Sequence, residues 1–112
     1  MASCIFCQIV AGTLPSQRVF EDDQCYAFTD IHPAAPTHLL LVPKKHISMI
    51  AELEPADAPL VGHLFSIARQ LAAERKLEHY RLVINNGSGV GQSVFHIHLH
   101  LLGGRTMSWP PG

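Results

Sequence analysis

The stretch from Val94 to Leu102, VFHIHLHLL, restricts the fold more than any other segment, because polar and apolar residues alternate through it almost without a break. Side chains in a strand point to opposite faces in turn, so Phe95, Ile97, Leu99 and Leu101 are predicted on one face and His96, His98 and His100 on the other. Same-face neighbours along such a strand are about 6.7 Å apart. The apolar row can then pack beneath a helix, which leaves the imidazoles in line on the open face. Three polar residues in register with so regular an apolar alternation argue against histidines that are merely incidental to a surface strand.

Three imidazoles in a row suit chemistry on one phosphate group. One can attack phosphorus, another can donate to its oxygens, and the third can fix a tautomer or complete another site, since neutral imidazole near pH 7 is both a nucleophile and a proton carrier. The chief rival is a hydrolase that uses zinc-bound water. Its ligands must lie within about 2.1 Å of one ion. Histidines at i and i+2 can chelate, but a third at i+4 on a straight strand lies too far along to converge easily.

The remainder of the chain fits an α+β fold. The segments 17–22 and 25–31 read as a hairpin, and 38–42 as a buried strand ended by Pro43, which cannot donate to a ladder. From Asp57 a helix is expected, with Leu60, Val61, Leu64, Phe65, Ala68, Leu71 and Ala72 at three-to-four spacing, Asp57 as its cap and Pro59 in the first turn. A strand at 80–85 and the glycine-rich NNGSGVGQS at 85–93 precede the histidine segment. Strand, strand, strand, helix, strand, strand favours an antiparallel sheet with the helix on one face. The glycine-rich segment is not a dinucleotide fingerprint, which lies between a strand and a helix. Placed before the histidines, it offers backbone N–H groups and the Ser93 hydroxyl to an anion.

A length of 112 residues, 47% hydrophobic and 15% charged, with no repeat or low-complexity linker, is read as a single domain over 1–112. A net charge of −1 excludes the basic face that nucleic-acid binding needs, so a bound nucleotide is expected to be small. No window approaches the ~20 apolar residues of a membrane span and no targeting segment is evident, which predicts a cytoplasmic protein without a membrane partner. Three cysteines cannot close a disulfide framework. Cys4 and Cys7 form a lone C-x-x-C, two ligands short of a closed zinc site, and Cys25 reads as core.

Residues 96–102, HIHLHLL, fit at every position the His-φ-His-φ-His-φ-φ signature, with φ apolar, of the histidine-triad (HIT) family. The likeness also runs through IFCQIV, FTDI, APTHLLLVPKKHIS, VINNG and GQSVFHIHLHLLGG to GGRTMSWPPG, and its last stretch resembles the Hint branch of purine nucleoside phosphoramidases. The resemblance implies about five antiparallel strands per subunit, one main helix, a short N-terminal helix, and a homodimer with a continuous sheet. It implies cleavage of the P–N bond in purine nucleoside 5′-phosphoramidates, AMP or GMP derivatives such as adenosine monophosphoramidate or lysyl-AMP, through a nucleotidyl-histidine. By the same resemblance His98 is the nucleophile, His100 a donor to phosphate oxygens, and His38 a further histidine of the site. Ser93 and Gly91 bind phosphate, and Asn85 lies near the nucleotide. Asp30 accepts the ribose hydroxyls, while Ile5, Phe6, Phe28, Ile31 and Leu40 wall the base. Trp109 is packed near the dimer's active sites.

For the cysteine pair the resemblance supplies the two missing ligands, His46 and His96, making with Cys4 and Cys7 a Cys2His2 set for structural zinc and no cofactor for the chemistry. Two other readings stand beside this one: a Fhit-like dinucleoside polyphosphate hydrolase, which the GGRTMSWPPG ending disfavours, and a non-catalytic nucleotide-binding adaptor. His32, His63 and His79 have no such context and read as surface or helix-face residues.

Overall fold

The computed structural model describes residues 3–112. A short helix α1 (Ile5–Ala11) leads into strands β1 (Arg18–Glu21), β2 (Cys25–Thr29) and β3 (Thr37–Pro43). Two 3-10 turns then precede the long helix α2 (Ala58–Glu74), followed by β4 (Tyr80–Val83) and β5 (Leu99–Gly103). The five strands form one antiparallel sheet in the order β1-β2-β3-β5-β4. The expected fold class is therefore the observed one, including the short N-terminal helix.

Register divides the core between the two faces of the sheet. Ala27 pairs with Leu41, and Leu41 with Leu99, so these residues share a face. With Cys25, Leu39 and Leu101 they pack under Leu64, Ile67, Ala68, Leu71 and Ala72 of α2. Fully burying a leucine stabilises the fold by about 1.5–3 kcal/mol, and Leu41, Leu64, Leu71, Leu99 and Leu101 are all fully buried. On the opposite face Tyr26, Phe28, Leu40 and Val42 receive Phe6 and Ile9 of α1. Leu40 pairs with His100 and His38 lies two residues before it on the same strand, which places both histidines on this second face.

Three local expectations need correction. The ladder of β5 begins at Leu99, so His96 and His98 precede the strand, and Phe95 is 44% exposed rather than packed under α2. The cause lies at the end of β3. Pro43 has no N–H to give, its carbonyl is taken by the His96 ring at 2.7 Å, and the Ile97 amide turns instead to the carbonyl of Ile47 at 2.8 Å. Nor is the imidazole face fully open, because Phe6 of α1 packs against the His96 and His98 rings.

Asp57 does not cap α2 with its side chain. Its carboxylate reaches back to the Glu54 amide at 3.0 Å and to Lys45 Nζ at 2.6 Å, closing the preceding 3-10 turn. Within α2, Phe65 is largely exposed and Ile67 takes the buried position. The helix ends without glycine: Lys76 adopts φ 57, and the Lys76 and Leu77 amides return to the carbonyls of Ala73 and Ala72.

Candidate active site and metal centre

The protons of the histidine row follow from backbone partners. His98 Nδ1 lies 2.8 Å from the carbonyl oxygen of His96. A carbonyl only accepts, so Nδ1 carries the proton and the Nε2 lone pair of neutral His98 is left free. Burial lowers the pKa of His98, against the hydrogen bond to the His96 carbonyl and the charge of Asp30, so the ring is neutral at pH 7.

A second chain of constraints sets His100. The Ala34 amide donates to His38 Nδ1 at 2.9 Å, which puts the proton of a neutral His38 on Nε2. That N–H faces His100 Nδ1 at 2.9 Å, so His100 accepts at Nδ1 and presents Nε2–H as a donor. Burial, reinforced by the neighbouring His98 and His38, pushes the His100 pKa down to about 4. Asp30 stands behind the pair, its Oδ2 3.3 Å from His38 Nε2, and its Oδ1 accepts the His32 amide at 2.8 Å to close a turn. The rings of His98 and His100 are 5.0 Å apart between centroids.

The glycine-rich loop differs from a cradle of free amides. The amides of Val90, Gly91 and Gln92 already donate to carbonyls of Gly87 and Ser88. Gln92, which the sequence reading passed over, is buried and holds the loop, accepting from the Gly87 amide and donating to the carbonyls of Ser48 and Val94. Ser93 and Gly91 remain solvent-facing and Asn85 is partly buried. Gly91 has φ +105, and a Cβ there would stand 3.7 Å from Asn85 Nδ2, so this position needs glycine for its backbone angle.

Of the residues expected around a base, Phe6, Phe28 and Leu40 are brought together in the α1-side core, and Ile5 is partly exposed at its edge. Ile31 and Trp109 are not gathered with them and are 84% and 82% exposed.

Cys4, Cys7, His46 and His96 converge, their ligand atoms all within 4.8 Å of one another. Cys4 Sγ is 3.4 Å and Cys7 Sγ 3.6 Å from His96 Nδ1. Cys7 Sγ is 3.3 Å and His96 Nδ1 3.2 Å from His46 Nδ1. Ligand atoms around a tetrahedral zinc with bonds of about 2.0–2.3 Å stand roughly 3.3–3.8 Å apart, which these spacings match. The donor chemistry agrees. His96 gives its Nε2–H to the Pro43 carbonyl, so its Nδ1 lone pair faces the cluster, and such a carbonyl partner is a common support for a metal-bound histidine. The cluster can therefore bind a metal ion with four protein ligands.

Two other groups of ligand-type residues lie close together, but protons join them. Asp30, His38 and His100 form the chain just described. Asp22, Cys25 and His63 meet beneath the N-terminal half of α2, where His63 Nε2 is 2.6 Å from Asp22 Oδ2. Burial pushes the Cys25 thiol up to about 12, so it keeps its proton. His63, expected on the surface or a helix face, is thus paired with the hairpin carboxylate. Its partner lies 41 residues away, and nothing local in the sequence signals the pairing.

An antiparallel five-stranded sheet with His96, His98 and His100 entering its fourth strand in spatial order, under a short N-terminal helix, defines a histidine-triad protein. The chain belongs to the HIT domain family, whose pattern matches residues 11–107. It is 50% identical over 109 residues to a HIT-like protein of Synechocystis sp., covering 96% of each. Among solved structures, a HIT family hydrolase from Legionella pneumophila superposes with a TM-score of 0.96 at 52% identity, covering 98% of this chain and 100% of that one. A histidine triad nucleotide-binding protein from Candida albicans superposes with a TM-score of 0.82 at 32% identity, over 96% of this chain and 83% of that one. Among the described residues no helix is long and apolar enough to cross a membrane.

Proposed function

We propose that this protein is a nucleotide hydrolase of the Hint type, a single-domain cytoplasmic homodimer that cleaves the P–N bond of purine nucleoside 5′-phosphoramidates such as AMP or GMP derivatives. The observation that carries the reading is the pair of assigned tautomers: a free lone pair on His98 Nε2 next to a donor N–H on His100 Nε2. Similarity to a HIT family hydrolase and to a nucleotide-binding relative supports it.

In this reading His98 Nε2 attacks the α-phosphorus, and the P–N bond breaks with its electron pair going to the amine, which takes a proton from solvent. His100 donates to the phosphate oxygens as charge gathers there, with Ser93 and the backbone at Gly91 as further phosphate contacts. Water then attacks phosphorus and restores the His98 lone pair. His38 fixes the tautomer of His100. Asp30 and Asn85 hold the sugar side, and Ile5, Phe6, Phe28, Ile31 and Leu40 flank a purine, with Trp109 brought to the site across the dimer. Cys4, Cys7, His46 and His96 would hold a zinc ion whose contribution is structural, tying α1 to the residue two before the nucleophile. The sheet edge at β4 supports pairing of two copies, since β4 is terminal in the sheet and Tyr80 on it is exposed.

The test is AMP release from adenosine 5′-phosphoramidate, with acid quenching and mass spectrometry to find a nucleotidyl adduct. Wild type is expected to release AMP and to carry the adduct on His98, with or without a chelator as long as circular dichroism shows the fold intact. His98→Ala should lose both, its rate falling by about 10³-fold or more. AMP release without any adduct, surviving in His98→Ala, overturns the reading in favour of attack by metal-bound water.

A further inference from the structure

Phe6 lies between Cys4, at the N-cap of α1, and Cys7 within it, and its ring stands perpendicular to that of His98, 5.1 Å between centroids at 87°. It also meets His96 at 6.0 Å and backs onto Phe28 at 5.5 Å. Only 5% of its surface is exposed, so most of the ring is turned to these neighbours. That position makes it a cover of the His98 ring.

What holds that cover is the cysteine cluster. A helix of seven residues does not sustain itself in water. α1 is fixed at its start by Cys4 and Cys7, and along its length by Phe6 and Ile9 against Tyr26, Phe28, Leu40 and Val42. The same cluster includes His96, whose carbonyl takes the His98 Nδ1–H. One set of four ligands therefore fixes His98 from two sides: through the acceptor that selects its tautomer, and through the aromatic edge that sets its ring plane.

We infer that Phe6 is a positioning residue for His98, and that a metal ion at Cys4, Cys7, His46 and His96 influences the reaction by clamping Phe6 and the His96 carbonyl against that ring. The inference rests on the proposed role of His98, but its readouts need no turnover. Edge-to-face contacts fix ring orientation as well as adding attraction, and a reacting atom displaced by a fraction of an ångström loses rate far more than affinity.

The experiment compares wild type, Phe6→Leu and Phe6→Ala, each zinc-loaded and metal-stripped. Three quantities are followed: the rate of diethyl pyrocarbonate modification at His98, located by mass spectrometry; the ring ¹⁵N shifts of His98; and kcat with KM for the phosphoramidate. Phe6→Ala should speed His98 modification and lower kcat about tenfold, beyond any change in KM, and Phe6→Leu, which keeps apolar cover without the aromatic ring, should fall between. Stripping the metal should speed modification in wild type and add little in Phe6→Ala, because both act through the same contact. A raised KM at constant kcat, with His98 shifts and modification unchanged, leaves Phe6 as a base wall alone and overturns the inference. Unchanged His98 modification on removing metal from folded wild type overturns the clamp. If no phosphoramidate is turned over, the labelling and shift results still decide the positioning, and the proposed reaction alone has failed.

Discussion

His38 Nε2 and His100 Nδ1 stand 2.9 Å apart, and the proton between them belongs to His38 because the Ala34 amide already occupies His38 Nδ1. A backbone amide thus decides, two rings away, that His100 presents a donor on its outer nitrogen. The same turn is braced from the C-terminal tail, where Arg105 Nε donates to the Ala34 carbonyl at 2.8 Å. Asp30 accepts the His32 amide at one end of this turn, and its other oxygen lies 3.3 Å from His38 Nε2 at the other.

Replacing His38 tests that relay. His38→Phe keeps a ring against His100 but removes the donor, so His100 is free to move its proton to Nδ1 and turn a lone pair toward the phosphate. The expected result is a loss of about 10²-fold in kcat, the lower end of what positioned proton donors contribute, with a smaller change in KM. Ring ¹⁵N shifts of His100 should report the second tautomer. An unaltered His100 spectrum with unaltered kcat means that the relay does not set the donor.

Arg105 gives a graded version of the same test. Arg105→Ala removes the bond to the Ala34 carbonyl together with a local one to the Thr106 carbonyl, both on an exposed surface, the first a loss of about 0.5–1.5 kcal/mol, and leaves the Ala34 amide in place. Activity is expected to drop roughly two- to tenfold, with no change in the His98 spectrum and a small shift at His38. Arg105→Lys should recover only part, since an ammonium does not reproduce the planar donors of guanidinium. Equal activity in all three proteins removes the tail from the site's support.

Much of this arrangement was legible in the residues, and the parts that were not share a cause. The alternation through Ile97, Leu99 and Leu101 reported the face beneath α2 because a strand's period is a local property. It overreached at His96 and His98, where the strand's neighbour ends in Pro43 and the ladder stops. The three-to-four spacing likewise found α2 but misjudged Phe65 and Ile67. The convergence of Cys4 and Cys7 with His46 and His96 came from the family resemblance, since two cysteines alone do not name their remaining ligands. Contacts such as Arg105 with Ala34, Gln92 with Ser48 and His63 with Asp22 join residues 71, 44 and 41 apart. They depend on how the chain closes on itself, and no local pattern encodes them.

The last of these contacts carries a pH prediction. Burial raises the pKa of Asp22, but hydrogen bonds from His63 and from the amides of Gln24 and Cys25 outweigh it and leave the carboxylate at about 2. A depressed carboxylate stabilises the fold fully above its unfolded value of 3.8 and loses that contribution as pH falls toward 2. With Asp22 and His63 each about a quarter exposed, the contribution should be about 1–2 kcal/mol after solvent screening. Asp22→Asn keeps an oxygen for the two turn amides and removes the charge. Denaturant unfolding should show it less stable than wild type by that amount, evenly at pH 7 and pH 5. The gap should narrow at pH 3 and fall to a small remainder at pH 2, where the wild-type carboxylate is about half protonated. A gap that stays constant down to pH 2 would mean that Asp22 acts through the shape of the hairpin rather than through its charge.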